Sequence, residues 1–257
     1  METPPTWTDE ERDRMLGLLD HAHSVELKMS VPDADHRSTV TALDLDPLAA
    51  DMVQVWFFDT PHLDVNASGV IARVRRSRTR EDATVKLRPV VPDELPGKLR
   101  ARSGFGVEID AMPGGFVCSA SLKAKLEPGT VRPAILGGKS PRRLFDKAQR
   151  TFFEQHAPAG VTLDDVKPLG PITALKLKWV PPGLGRKMVA ELWTYPDGSR
   201  ILELSTKCEP SAAFAVAAQT REFLLERRIT MTGVQQTKTK TALEYFAQEL
   251  RDQEEIS

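Results

Sequence analysis

The stretch Val53–Arg88, VQVWFFDTPHLDVNASGVIARVRRSRTREDATVKLR, decides the fold. It reads as three strands in succession. Val53 to Phe58 is β-branched and aromatic, the composition of a strand. Asp59-Thr60-Pro61 breaks it, because proline cannot donate to a ladder and Asp favours a turn. Gly69 precedes a second strand, Val70 to Arg76, and a polar tip leads into a third, Ala83 to Arg88. Side chains alternate along a strand. Arg73 and Arg75 therefore share one face, with Val70, Ala72 and Val74 on the other. Lys86 and Arg88 share a face opposite Val85 and Leu87. A hairpin brings the two basic faces together, as a lining for an anion or as the basic outer face of an ordinary sheet.

The totals narrow the choice. The chain has 257 residues, 35 Lys and Arg against 36 Asp and Glu, and a formal net charge of −1. Bulk charge therefore does not make it a polyanion binder, and basic character must be local. Cys118 and Cys208 lie far apart without metal spacing, which fits two buried thiols in a reducing cytosol. The acidic start METPPTWTDEERDR has no apolar signal core, and no apolar run reaches the length of a membrane span. The expectation is a soluble cytoplasmic protein. Residues 1–22 read as a helical arm and 23–257 as the main domain.

Thr8 with Glu11 three residues on has the pattern of a capping box. Ser24 to Ser30, SVELKMS, alternates cleanly as a strand, with Glu26 and Lys28 on its polar face. Ser38 to Leu45 is ambiguous and is read as a strand candidate. Val107 to Ala111 is a short strand carrying Glu108 and Asp110, and Asp110 reads as a solvated side chain. Phe116 to Leu126 is mixed, with Ser119 or Ser121 as a cap. Pro141 to His156 reads as one amphipathic helix. Pro171 to Val180 places Lys176 and Lys178 on one face, and either could face inward. Lys187 to Thr194 carries Glu191 and Trp193 on one face, and Ile201 to Lys207 carries Glu203, Ser205 and Lys207. Pro210 to Arg228 is a long helix rich in Ala and Leu. Val234 to Thr241 reads as a polar strand with Lys238 and Lys240 on one face, before a last helix, Ala242 to Asp252.

The sum is an α+β fold with about eight strands, most of them charged on one alternating face. A closed antiparallel β-barrel with flanking helices accommodates this, because its apolar faces pack outward and closure removes the edges. Its interior would hold Lys28, Arg73, Arg75, Lys86, Arg88, Lys176, Lys178, Lys207 and Lys238 or Lys240. The acids would be Glu26, Glu108, Glu191 and Glu203. Unpaired buried charges are costly, so such a lumen calls for water and a ligand of several negative charges. Clustered carboxylates suit a hard divalent cation.

The ordered set resembles the CYTH domain, or triphosphate tunnel metalloenzyme family. SVELK is similar to that family's first strand, Glu-x-Glu-x-Lys, and FFDTPHL to its aromatic-Asp-Thr-Pro turn. Arg73-x-Arg75, then Lys86, Glu191, Glu203 and Lys238 or Lys240 follow in the family's order, from about Ser24 to Thr241. The resemblance implies a tunnel in which cations, Lys28 among them, bind a triphosphate and glutamates hold Mg²⁺ or Mn²⁺. It implies a triphosphatase, with Lys28 and Glu203 as catalytic residues, or a class IV-type adenylate cyclase. The chain departs from the pattern in two places. Ser24 stands at the first acid and Ser205 at the second acid of the late pair, and Lys207 adds a cation on the same face. Fewer carboxylates should weaken metal binding and spare triphosphate affinity. The sequence therefore supports a triphosphate- or polyphosphate-binding tunnel protein, either a metal-dependent triphosphatase or a catalytically degenerate phosphate sensor. A cyclase would need a base pocket, which the sequence does not show. No basic stripe is interleaved with stacking aromatics, so a nucleic-acid partner is not expected. Gly137-Gly138-Lys139-Ser140 echoes only the end of a phosphate loop and lacks its first glycine.

Overall fold

The computed structural model describes residues 8–229 and 238–256. Nine strands form a closed barrel: β1 (Ser24–Val31), β2 (Asp51–Asp59), β3 (Val70–Ser77), β4 (Glu81–Leu87), β5 (Phe105–Met112), β6 (Gly115–Leu126), β7 (Lys167–Trp179), β8 (Met188–Thr194) and β9 (Arg200–Cys208). The helices are α1 (Asp9–Leu19), α2 (His36–Ala42), α3 (Asp64–Ala67), α4 (Gly97–Arg100), α5 (Val131–Leu136), α6 (Lys147–Glu154), α7 (Ala213–Glu226) and α8 (Lys238–Ile256). Around the barrel the order is β1-β5-β6-β4-β3-β2-β7-β8-β9, and β9 pairs back onto β1. The expected antiparallel barrel is thus mixed, because β1 and β5 run parallel, Ser24 opposite Glu108 and Glu26 opposite Asp110. Against about eight expected, nine strands form among the described residues: the mixed segment 116–126 is a full strand, β6, while 36–42 and 238–241 are helical.

Most of the apolar side chains face outward. Val70, Ala72, Val74, Ala83, Val85, Val107 and Ile109 are buried in the largest core cluster, with Phe145, Phe152 and Phe153 packed over them. Phe58 meets Phe145 edge to face, centroids 5.6 Å apart. A second outward cluster joins Met29, Val31, Leu202 and Leu204 to Phe223 and Leu224 of α7. A third lies on the lumen side. Val55, Ile172, Ala174 and Trp193 gather there with Ala242, Leu243 and Phe246, so α8 packs over an apolar portion of the lumen.

Local chemistry explains the elements that sequence patterning misjudged. Residues 36–42 are helical, not extended. The segment 141–156 divides into a short 3-10 turn and α6, because Asp146 caps α6 in a reciprocal box with Gln149. Gln149 is fully buried, and its amide donates to the carbonyls of Ala83 and Leu122, tying α6 to the barrel wall. Lys238 to Thr241 is the start of α8 rather than the end of a strand, and the rest of that expected strand lies outside the described residues. The box at Thr8 and Glu11 forms as expected.

The Asp59-Thr60-Pro61 turn is held by the Asp59 carboxylate. It accepts from the backbone N–H groups of Thr60 at 2.8 Å, Val65 at 2.9 Å and Asn66 at 2.9 Å. Asp59 is 1 % exposed, and its burial raises the carboxyl pKa despite these bonds. Asp59→Ala leaves the three donors without this acceptor, and urea unfolding is expected to show a loss of about 3 kcal/mol. Gly170 serves the β2–β7 pairing. The register shifts between Val55 and Phe57. Opposite that shift, Gly170 has φ +137°, and an added Cβ would sit 2.7 Å from the Val55 carbonyl oxygen. Among the described residues, no helix is long and apolar enough to cross a membrane.

Candidate functional site

The lumen is a cavity of about 340 Å³. Its walls carry the inward faces of β1 (Glu26, Lys28), β3 (Arg73, Arg75), β4 (Asp82, Thr84, Lys86), β5 (Glu108, Asp110), β7 (Lys176, Lys178), β8 (Glu191) and β9 (Glu203, Lys207). Arg88 lies just past β4, and Lys238 enters from the first turn of α8. Eleven cationic side chains face seven acids, a surplus of four positive charges.

Most of these charges are paired. Lys28 Nζ lies 2.8 Å from Asp110 and 3.2 Å from Glu26, and Lys86 Nζ lies 3.1 Å from the other Asp110 oxygen. Lys207 pairs with Glu108 at the more exposed edge. Lys238 bridges Glu191 at 2.5 Å and Glu203 at 2.8 Å, while Lys176 takes the other Glu191 oxygen at 2.5 Å. Arg75 is held by Asp82, Nε at 3.1 Å and Nη2 at 3.0 Å. Arg73, Arg88, Lys123 and Lys178 form no ion pair among the described residues. Arg73 also has a buried Nε with no hydrogen-bond partner.

The ionisations follow from this pairing. Burial, then Arg75 beside it, pushes the Arg73 guanidinium down to about 10. Burial likewise lowers Lys86 and Lys123. Burial would also lower Lys28, but Asp110, Glu26 and Glu203 together hold it above the ordinary lysine value. Asp110 and Glu191 are buried carboxyls that desolvation would raise. Lys28 and Lys86 keep Asp110 well below the usual carboxylate range, and Lys238 and Lys176 do the same for Glu191.

Of the residues singled out in the sequence, all reach the lumen except Lys240. Its side chain is 71 % exposed and pairs with Glu244 one helical turn on. The helix separates it from Lys238, where a strand would have placed both on one face. Lys176 and Lys178 both line the cavity. Asp110, expected to be solvated, is 1 % exposed and is the hub of the Lys28–Lys86 network. Lys123 was missed. It alternates with Ser119 and Ser121 along β6, a period-two signal masked by the mixed composition of that segment.

Glu26, Glu108 and Asp110 offer ligand atoms within 4.8 Å of one another, and their hard oxygens are of the kind that Mg²⁺ or Mn²⁺ takes. In charge the cluster is already balanced. Three lysines, Lys28, Lys86 and Lys207, stand against its three carboxylates. A divalent ion would have to displace them, so the residues as placed do not fit one.

No protein-family model matches the sequence. No curated protein matches it either. Solved structures do match in fold. A candidate adenylate cyclase from Bacillus halodurans superposes with a TM-score of 0.58 at 11% identity, covering 85% of this chain and 97% of its own. A candidate adenylyl cyclase from Hippeastrum with a dominant triphosphatase activity superposes with a TM-score of 0.61 at 15% identity, covering 84% and 92%. With its closed barrel, its inward-facing charges and these neighbours, the chain has the fold of the CYTH, or triphosphate tunnel, proteins.

Proposed function

We propose that this protein binds the triphosphate group of a linear polyphosphate or an organic triphosphate inside the barrel. The observation that carries the reading is Arg73, a buried guanidinium facing the lumen without an ion pair among the described residues. A buried cation in that state costs stability unless an anion arrives. A guanidinium is also suited to two parallel hydrogen bonds with a phosphate. Arg88, Lys123 and Lys178 supply further charge along the same lumen. The four-charge surplus matches a ligand carrying several negative charges.

A second reading adds hydrolysis of the terminal phosphoanhydride. It is favoured by the cations that line the lumen and by the activity of the Hippeastrum neighbour. The cations around the chain of phosphates would then neutralise charge that builds up as the bond to the terminal phosphoryl group breaks. Lys28, Arg73 and Lys86 would orient the phosphates, and Lys238 would hold Glu191 and Glu203 in place beside them by its ion pairs.

The test measures binding of inorganic tripolyphosphate by calorimetry and phosphate release with Mg²⁺ or Mn²⁺, for wild type beside Glu203→Gln. Binding with release that the substitution removes supports the triphosphatase. Binding without release supports a phosphate-binding module. Folded protein that binds no tripolyphosphate overturns the tunnel assignment.

A further inference from the structure

The Glu26–Glu108–Asp110 cluster is balanced in charge by the chain itself, three lysines against three carboxylates. Glu26 accepts from the Ser205 hydroxyl at 3.1 Å on one oxygen and faces Lys28 at 3.2 Å with the other. Asp110 faces Lys28 with one oxygen and Lys86 with the other. Glu108 accepts from Lys207 and, at 3.4 Å, from the Ser24 hydroxyl. Three of the six carboxylate oxygens thus accept a hydrogen bond from the protein, and two more, one each on Glu26 and Asp110, are met by the Lys28 ammonium as ion pairs, the buried Asp110 Oδ1 having no hydrogen-bond partner among the described residues. The register explains how Lys207 comes to be there. On β9 it stands directly opposite Glu26 of β1, and Glu108 is one strand further round on β5. A side chain at this position on the inward face of β9 must enter the cluster. Its ammonium brings one positive charge to the place where the three carboxylates converge.

We infer that Lys207 is a built-in cation that takes the place of a divalent ion at this cluster, so that the protein holds its phosphate ligand without a metal. The inference rests on the proposed triphosphate binding for its ligand, but not for its metal chemistry. A fixed ammonium repels a second cation and neutralises the carboxylates that would otherwise repel a polyanion. Lys207 is half-exposed at 51 %, so its replacement strands no deeply buried charge. The two serine hydroxyls complete the arrangement, because they donate to Glu26 and Glu108 without adding the negative charge a divalent ion would need.

The experiment has two arms. In the first, Mn²⁺ is titrated into protein without phosphate ligand, and free Mn²⁺ is read by electron paramagnetic resonance. Wild type is expected to leave the ion free. Lys207→Glu, which removes the cation and adds a fourth carboxylate, is expected to take up one ion, and Lys207→Gln to show weaker uptake. Uptake by wild type that Glu108→Gln abolishes overturns the inference, as does a Lys207→Glu variant that is folded by circular dichroism yet leaves Mn²⁺ free. In the second arm, tripolyphosphate is titrated in EDTA and again in excess Mg²⁺. Wild type is expected to bind in EDTA at least as tightly as in Mg²⁺, whereas Lys207→Glu binds at least tenfold more weakly in EDTA and regains affinity with Mg²⁺. Wild type that binds only with Mg²⁺ overturns the inference and leaves the tunnel reading standing. Absence of tripolyphosphate binding under both conditions overturns the tunnel reading, while the Mn²⁺ arm still decides the role of Lys207.

Discussion

Arg73→Ala is expected to weaken tripolyphosphate binding about a hundredfold or more and to leave the ligand-free protein as stable as wild type or more so. The two halves have one cause. Arg73 is buried in the lumen, its Nε has no hydrogen-bond partner, and burial with Arg75 pushes its pKa down to about 10. In the free protein it is therefore a desolvated charge that Asp82, Glu191 and Glu108 offset only in part from a distance. Two hydrogen bonds from it to a phosphate, at about 1.5 kcal/mol each for charged partners, sum to about 3 kcal/mol. That is about a hundredfold in affinity. Arg75→Ala should cost less, because Asp82 already holds that guanidinium. The paired substitution should abolish measurable binding. The pH dependence has a definite sign. The lowered pKa of Arg73 means its charge is lost earlier on the alkaline side than for a free guanidinium, so affinity is expected to hold through neutral pH and fall as pH rises past about 10. Calorimetry with thermal unfolding in the absence of ligand checks both halves. Tighter coupling of Arg73 to stability than to binding would remove it from the site.

Asp110→Ala is the second large effect, and it acts on stability. Asp110 is 1 % exposed and neutralises two ammonium groups, Lys28 at 2.8 Å and Lys86 at 3.1 Å. Removing it leaves both in a low-dielectric lumen, at a cost of about 3–5 kcal/mol. Denaturant unfolding should show that loss, and tripolyphosphate should recover part of it by supplying the missing negative charge. Asp110→Ala combined with Lys86→Met should be less destabilised than Asp110→Ala alone, since the pair is then replaced by apolar groups. The wild-type network also predicts an acid limit. Lys28 and Lys86 depress the folded-state pKa of Asp110, so its contribution is complete above the ordinary Asp value of 3.8 and is lost as pH falls below it. Lys28 moves the other way. Its raised pKa means that its contribution is complete below the ordinary lysine value and declines only as pH rises beyond it.

The inverted patterning was legible in the chain itself. Period-two alternation put Arg73, Arg75, Lys86, Glu26, Lys28, Glu191 and Glu203 on single faces, and in β1, β3, β4, β8 and β9 those faces are the lumen. Alternation is a local property, so one strand suffices to read it. The turn at Asp59 and the cap at Thr8 were legible for the same reason, because their hydrogen bonds close within seven residues. What the sequence could not decide depends on partners far along the chain. Whether Asp110 is solvated or buried is fixed by Lys28 and Lys86 converging on it from β1 and β4. Whether Lys238 or Lys240 enters the lumen is fixed by α8 packing Ala242, Leu243 and Phe246 onto the barrel, which turns one lysine in and the other out. The parallel β1–β5 pairing and the β1–β9 closure bring Ser24, Ser205 and Lys207 onto the remaining acids. Alternation within a strand states which side chains share a face; only the closed register states which of them meet.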